Sequence, residues 1–322
     1  MKGTRAFLWA MWAFAAVCLL TAAFNGKMPS ERDASTANPE TDVQSPVQNL
    51  SPQPKGDTSP GSPAEADGRT APPSEGSGNG LAGRRGARSK GPSSQPLIAL
   101  VIDDMGFNFE MAEKIEALGL TTTWAVIPGT PRCGSIVSFS QKNGQPFILH
   151  VPMQALIDPA GSGYAVGVDT KEKEIGAYVQ KLYRDYPWAL GVNNHRGSKA
   201  TSDPRTMGYF MKALSSGPWG FLDSRTSGKS VAYQTALGYD IPAARNNAFI
   251  DGSSDLETMK AQFSKALRHA RKHGTAVAIC HARKSTLPFL EYLTHADIKP
   301  VAFAAIDEIW ERQRAYHKEE TQ

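Results

Sequence analysis

Two adjacent carboxylates, Asp103 and Asp104, end an apolar run over 97–102 and so leave a buried strand together. Burying two like charges side by side is costly, and each raises the pKa of the other. A metal ion resolves the conflict, one carboxylate coordinating while the other accepts protons. The plainer alternative is a strand end that turns through Gly106. His150 closes Phe-Ile-Leu-His, where a histidine is either a satisfied core residue or a ligand. His195 sits in Gly-Val-Asn-Asn-His-Arg-Gly-Ser, a polar cluster that no packed core favours, and His281 closes Val-Ala-Ile-Cys-His. The other histidines, His269, His273, His295 and His317, fall in helical or loop stretches and read as surface. One aspartate and two neutral imidazoles leave an open position on an ion, which suits hydrolysis through a bound water. No HExxH, CxxC pair, P-loop or GxSxG motif competes for that role.

Each of these residues follows its own apolar run. The runs cover 97–102, 122–127, 147–151, 189–192, 220–222, part of 241–250, 276–279 and 299–303, and they are too continuous for half-exposed strands. They predict buried parallel strands. Amphipathic stretches fill the gaps at 109–118, 171–186, 206–214, 255–273, 287–293 and 307–314, with Asp203-Pro204 before the third and Gly274 after the fourth. Strands alternating with helices allow a closed barrel or an open doubly wound sheet. Polar residues follow almost every run: Asp103-Asp104, Pro128-Gly129, His150, Asn193-Asn194-His195, Asp223-Ser224-Arg225, Asp251 and His281. A barrel gathers all strand C-termini at one face, whereas an open sheet gathers only those near its switch point. The expectation is therefore a (β/α) barrel of seven to eight parallel strands.

Composition limits the rest of the 322-residue chain. The stretch 28–95 is dense in Ser, Pro, Gly, Asp and Glu, with Val43, Val47, Leu50 and Leu81 almost its only large aliphatics. It buries too little to offset its ordering entropy and is expected to be a disordered linker. One domain over 96–311 remains, followed by a polar tail at 312–322. The net charge of +4 is spread out, and the densest basic run, Arg84, Arg85, Arg88 and Lys90, ends the linker. Without a basic patch interleaved with aromatics, no nucleic-acid partner is expected. Lys2 and Arg5 precede an apolar run at 6–24, so 1–27 reads as a cleaved signal peptide or an uncleaved signal anchor. Either places the domain outside the cytoplasm, periplasmic or held to the membrane through that segment. Cys133 and Cys280 are either a disulfide or two separate buried thiols.

At 97–107 (LIALVIDDMGF), 123–128 (TWAVIP), 148–153 (ILHVPM), 191–198 (GVNNHRGS) and 221–226 (FLDSRT) the chain resembles the serial motifs of the divergent polysaccharide deacetylase family. That family is a remote branch of the NodB-like carbohydrate deacetylases. The resemblance implies a distorted (β/α) barrel and a divalent metal, commonly zinc. It also implies removal of acetyl groups from an envelope polysaccharide or peptidoglycan-like glycan. By position it implies Asp104, His150 and His195 as metal ligands, Asp103 as base and His281 as general acid, with Arg245 and Asp251 tuning that acid. In such a mechanism Asn194 and Arg196 are candidates to steady the oxyanion, and Asp223 and Arg225 to hold substrate. Two departures stand out. The wider family's second motif pairs two histidines with three residues between them, but Met153 and Gln154 follow His150 here. Its arginine-proline third motif gives way to Asn-Asn-His-Arg. These departures motivate a second expectation, a non-catalytic glycan-binding or envelope scaffold protein that keeps the barrel and a metal.

Overall fold

The apolar runs form nine strands among the described residues: β1 (Leu97–Met105), β2 (Thr123–Val126), β3 (Phe147–Met153), β4 (Gly191–Arg196), β5 (Gly220–Asp223), β6 (Ala243–Arg245), β7 (Ala248–Phe249), β8 (Thr275–His281) and β9 (Ala302–Ala304). The computed structural model describes residues 95–159 and 162–320, without the side chains of 317–320. The expected export segment at 1–27 and all but the last residue of the expected linker lie outside the described residues.

Every strand pairing is parallel, in the order β6-β5-β4-β3-β2-β1-β8-β7. β1 gives one edge to β8 and shares the other between β9, along Leu97–Ala99, and β2, from Val101 onward. The two edge strands of the sheet, β6 and β7, are separated in sequence only by Asn246 and Asn247. The Asn246 N–H donates to the Asp223 carbonyl at 2.9 Å and that of Asn247 to the Val277 carbonyl at 2.9 Å. The sheet thus curls until its edges meet through the chain rather than through a ladder, giving a distorted, incompletely closed (β/α) barrel.

Helices cover the outside: α1 (Phe109–Ala117), α2 (Cys133–Asn143), α3 (Glu172–Asp185), α4 (Pro204–Leu214), α5 (Ala232–Gly238), α6 (Leu256–His273) and α7 (Leu287–Leu293). Side-chain caps fix the starts of α1, α4 and α6: Asn108 accepts from Met111 N, Asp203 from Thr206 N and Asp255 from Thr258 N. Gly274 adopts φ 79° to end α6. Strand side chains alternate between two cores. Ile98, Leu100 and Ile102 face the helices, whereas Leu97, Ala99, Val101, Ile148, Leu222, Val277 and Ile279 face inward. The inner cluster is completed from below by Ile309 and Trp310 of α8 (Ile306–Glu320). Trp310 fits because β4 and β5 begin with glycine: a Cβ on Gly191 would lie 2.6 Å from its ring, and one on Gly220 would also collide with it.

Several expectations need correction. β1 and β4 run past their apolar stretches, because β4 keeps its ladder to β3 through His195 and Arg196. The single strand expected within 241–250 is two short ones. α2 and α5 were not expected; each buries few large side chains, with Cys133, Ile136 and Ser140 buried in α2 and only Ala232 and Ala236 in α5. The tail at 312–322 continues as helix to Glu320. It is docked by Arg312 on the Gln95 carbonyl at 2.6 Å and by Gln313 on Thr275 Oγ1 at 3.2 Å. Of the two alternatives open for Cys133 and Cys280, the structure has separate buried thiols rather than a disulfide.

Candidate metal centre

Two residues beyond the last inner apolar side chains, the same alternation turns Asp103, His150 and His281 toward the axis at the C-terminal end of the strands. β4 brings Asn193 and His195 to the same place. Asp104 would face outward in regular strand. Instead it adopts φ 61°, and the register between β1 and β2 shifts between Ile102 and Met105. This irregularity, costly for a non-glycine residue, lets both carboxylates look at one atom. Nε2 of His150 lies 3.5 Å from Asp104 Oδ1 and 3.6 Å from Asp103 Oδ2.

Asp104, His150 and His195 offer one donor atom each, all within 4.8 Å of one another. Asp104 Oδ1 is buried and accepts no hydrogen bond, although Nδ1 of His195 stands 3.0 Å away. Bonds of about 2.1 Å to a tetrahedral ion place ligand atoms roughly 3.4 Å apart. The 3.0 and 3.5 Å separations suit an ion that satisfies the orphaned oxygen. A carboxylate and two imidazoles also form a donor set for a first-row divalent cation. The residues present therefore fit a metal.

Asn193, fully buried, orders the centre. Its Nδ2 donates to Asp103 Oδ1 at 2.8 Å and to Ser224 Oγ at 3.2 Å, which turns its Oδ1 toward Nδ1 of His150 at 2.8 Å. A carbonyl oxygen only accepts, so in neutral His150 Nδ1 carries the proton and Nε2 keeps a lone pair for the ion. Burial pushes the Asp103 carboxyl pKa up, and the opposing charges of His150 and His281 do not overcome it. Burial also acts on Asp104, but the imidazoles of His150 and His195 outweigh it and hold that carboxyl well below the usual range. For His150 burial lowers the pKa, while the charge of Asp103 and the contact with Asp104 raise it and prevail.

His281 faces the pair from β8, in register with Asp103. Asp251, just beyond β7, grips it twice, through Nδ1 on Oδ1 at 2.8 Å and through its backbone N–H on Oδ2 at 2.8 Å. Thr286 Oγ1 donates to the same Oδ2 at 2.9 Å. Burial lowers the His281 pKa, but the Asp251 hydrogen bond and charge prevail and raise it.

Several other candidate residues are engaged within the protein. Arg196 is spent on Asp158 Oδ1 at 3.0 Å and Ser162 Oγ at 2.8 Å, holding the loop after β3. Asn194 accepts from Ser224 N at 2.9 Å and donates to the Arg196 carbonyl at 2.6 Å, so its amide joins β4 to β5 rather than facing a substrate. Asp223 is buried and accepts from Arg225 N and Ser230 Oγ, both at 2.8 Å. Arg225 is exposed at the rim, and Arg245 lies over the Tyr233 ring, 5.5 Å from its centroid, instead of beside His281. Gln154, near where the wider family's motif would put a further histidine, is locked into the loop by Val168 N at 3.0 Å and Tyr164 Oη at 3.1 Å. Asn193, Thr286 and Arg283, whose Nη2 is 3.8 Å from Asp104 Oδ2, were not singled out as site residues. For Asn193 the signal was present, an amide two positions before His195 on the same strand face.

Residues 100–310 match the sequence profile of the divergent polysaccharide deacetylase family. An uncharacterized protein of Haemophilus influenzae is 31% identical over 224 residues, covering 69% of this chain and 79% of that one. The uncharacterized protein YibQ of Escherichia coli is 28% identical over 198 residues, 62% of each chain. Among solved structures, an uncharacterized protein of Agrobacterium tumefaciens C58 shares the fold with TM-score 0.61 at 16% identity, over 67% of this chain and 89% of that one.

Proposed function

The chain belongs to the divergent polysaccharide deacetylase family, and from that premise we propose that it is a metal-dependent hydrolase removing acetyl groups from an envelope glycan. One observation carries the reading. An orphaned, buried Asp104 oxygen faces two imidazole nitrogens, with Asp103 on one side and the Asp251–His281 pair on the other. A divalent cation, zinc in this proposal, would polarise the acetyl carbonyl and acidify water there. Asp103, held by Asn193, takes the proton of the water whose oxygen attacks the carbonyl carbon. His281, protonated and aligned by Asp251, then gives its proton to the departing sugar nitrogen or oxygen as the bond to the acetyl carbon breaks. Acetate and the free sugar group are the products; Asp103 gives its proton up to solvent and His281 takes one back from solvent. Export through 1–27 belongs to the same proposal, since it brings the domain to the envelope.

A second reading, a glycan-binding or scaffold protein, is favoured by the replacement of the wider family's second-motif histidine and by the locked Gln154. Asp103→Asn separates the two. The purified chain loaded with zinc is expected to release acetate from acetylated sugars or peptidoglycan fragments, and the variant to keep metal but lose that release. A chain that holds metal yet stays inert across such a panel contradicts hydrolysis.

A further inference from the structure

The mouth of the centre carries several cationic side chains, some of them without an ion pair among the described residues. Arg283 leans over the site at 3.8 Å from Asp104 Oδ2, too far for a tight ion pair, and is half exposed. A cavity of about 570 Å³ opens three residues beyond Asp104 in the chain, lined in part by Phe107, Glu110 and Arg132. Phe107 is 58% exposed there, an apolar ring left in water at the rim. Glu110 is taken by Lys114 at 2.6 Å, which leaves Arg132 without a carboxylate partner among the described residues. Several acids at this end are engaged within the protein. Asp158 pairs with Arg196, Asp203 and Asp255 cap helices, and Asp223 and Asp251 are buried and hydrogen-bonded. Arg225 and Lys229 after β5 are exposed with no ion pair among the described residues, whereas the exposed Lys284 after β8 shares the charge of Glu110 with Lys114.

We propose that the glycan taken at this centre is anionic: an acetylated sugar chain bearing carboxylates. Arg283 would meet the acid group of the reacting sugar, and the Phe107–Arg132 cavity would hold its neighbour. The inference rests on the reading of the centre as a site for an acetylated glycan and adds the substrate's charge. A cation with no carboxylate partner gains from an anion that a neutral glycan lacks, and the field of such cations favours anionic chains. Phe107 supplies a flat face for the C–H side of a sugar ring, and Arg132 reaches the carboxylate as a bidentate partner.

Calorimetric titration of the full chain with oligogalacturonate and with a neutral chito-oligosaccharide of equal length tests this, at roughly 50 and 500 mM salt. Acetate release from the O-acetylated oligogalacturonate and from acetylated xylo-oligosaccharide is measured alongside. The carboxylate chain is expected to bind about tenfold or more tightly than the neutral one. That margin should collapse in high salt and in Arg132→Gln but persist in Arg132→Lys, with metal content and melting temperature unchanged. Equal affinities, a preference insensitive to salt, or no binding of the carboxylate chain overturns the inference. Acetate from neutral chains alone also overturns it, while leaving the deacetylase reading standing. Binding of the carboxylate chain without acetate from either substrate instead sinks hydrolysis and keeps the anionic ligand.

Discussion

Asp251 holds His281 with both carboxylate oxygens, one on the ring Nδ1 and one on the backbone N–H, each at 2.8 Å. The double grip fixes the ring's rotation and leaves Nε2 as the atom that can deliver a proton. Because the His281 pKa is raised above 6.5, activity that needs its proton persists to higher pH than an ordinary imidazole allows and falls as pH rises through that raised value. Asp251→Asn is expected to move this alkaline limb of kcat down toward 6.5 and to slow the reaction about tenfold or more. A pH–rate profile checks it; an unmoved limb would take His281 out of the acid's role.

Asn193 should matter to the metal without touching it. Losing its carbonyl frees His150 to adopt the tautomer that points a proton at the ion. Asn193→Ala is expected to weaken zinc binding by roughly 10–100-fold, read by competition with a chromophoric chelator. In the wild-type, metal-loaded chain, nitrogen-15 spectra should show the His150 proton on Nδ1.

Metal uptake should release protons. Asp103 and Asp104 draw a proton onto His150, and a cation must displace it. Calorimetry in buffers of different ionisation heat should therefore give a buffer-dependent enthalpy. More protons should be released per ion at pH 6 than at pH 8, because more His150 is protonated in acid.

Gly220 makes room for Trp310 inside the barrel. Gly220→Ala should destabilise the fold by about 1–3 kcal/mol, measured by chemical denaturation. Combined with Trp310→Leu, the loss should be smaller than the sum of the two single changes, since both act on one contact.

Much of the architecture was legible because burial on both faces leaves parallel strands with unmistakable apolar runs. Polar residues placed two positions after the inner side chains then marked the C-terminal face. Other features depend on partners remote in sequence. The inward turn of Asp104 arises from a left-handed backbone at a register shift, which no residue type announces. Arg196 and Asp223 look chemically able in sequence, but Asp158, Ser162 and Ser230 absorb them into loops. Helix α2, with a buried serine in its stripe, carries too weak an apolar period to be seen.

The central claim is that Asp104, His150 and His195 hold one metal ion. Anomalous diffraction from zinc-loaded crystals, collected on both sides of the zinc edge, tests it most directly. A single strong peak is expected among Asp104 Oδ1, His150 Nε2 and His195 Nδ1. A peak elsewhere, or none at this site while His150 stays hydrogen-bonded within the protein, would contradict it.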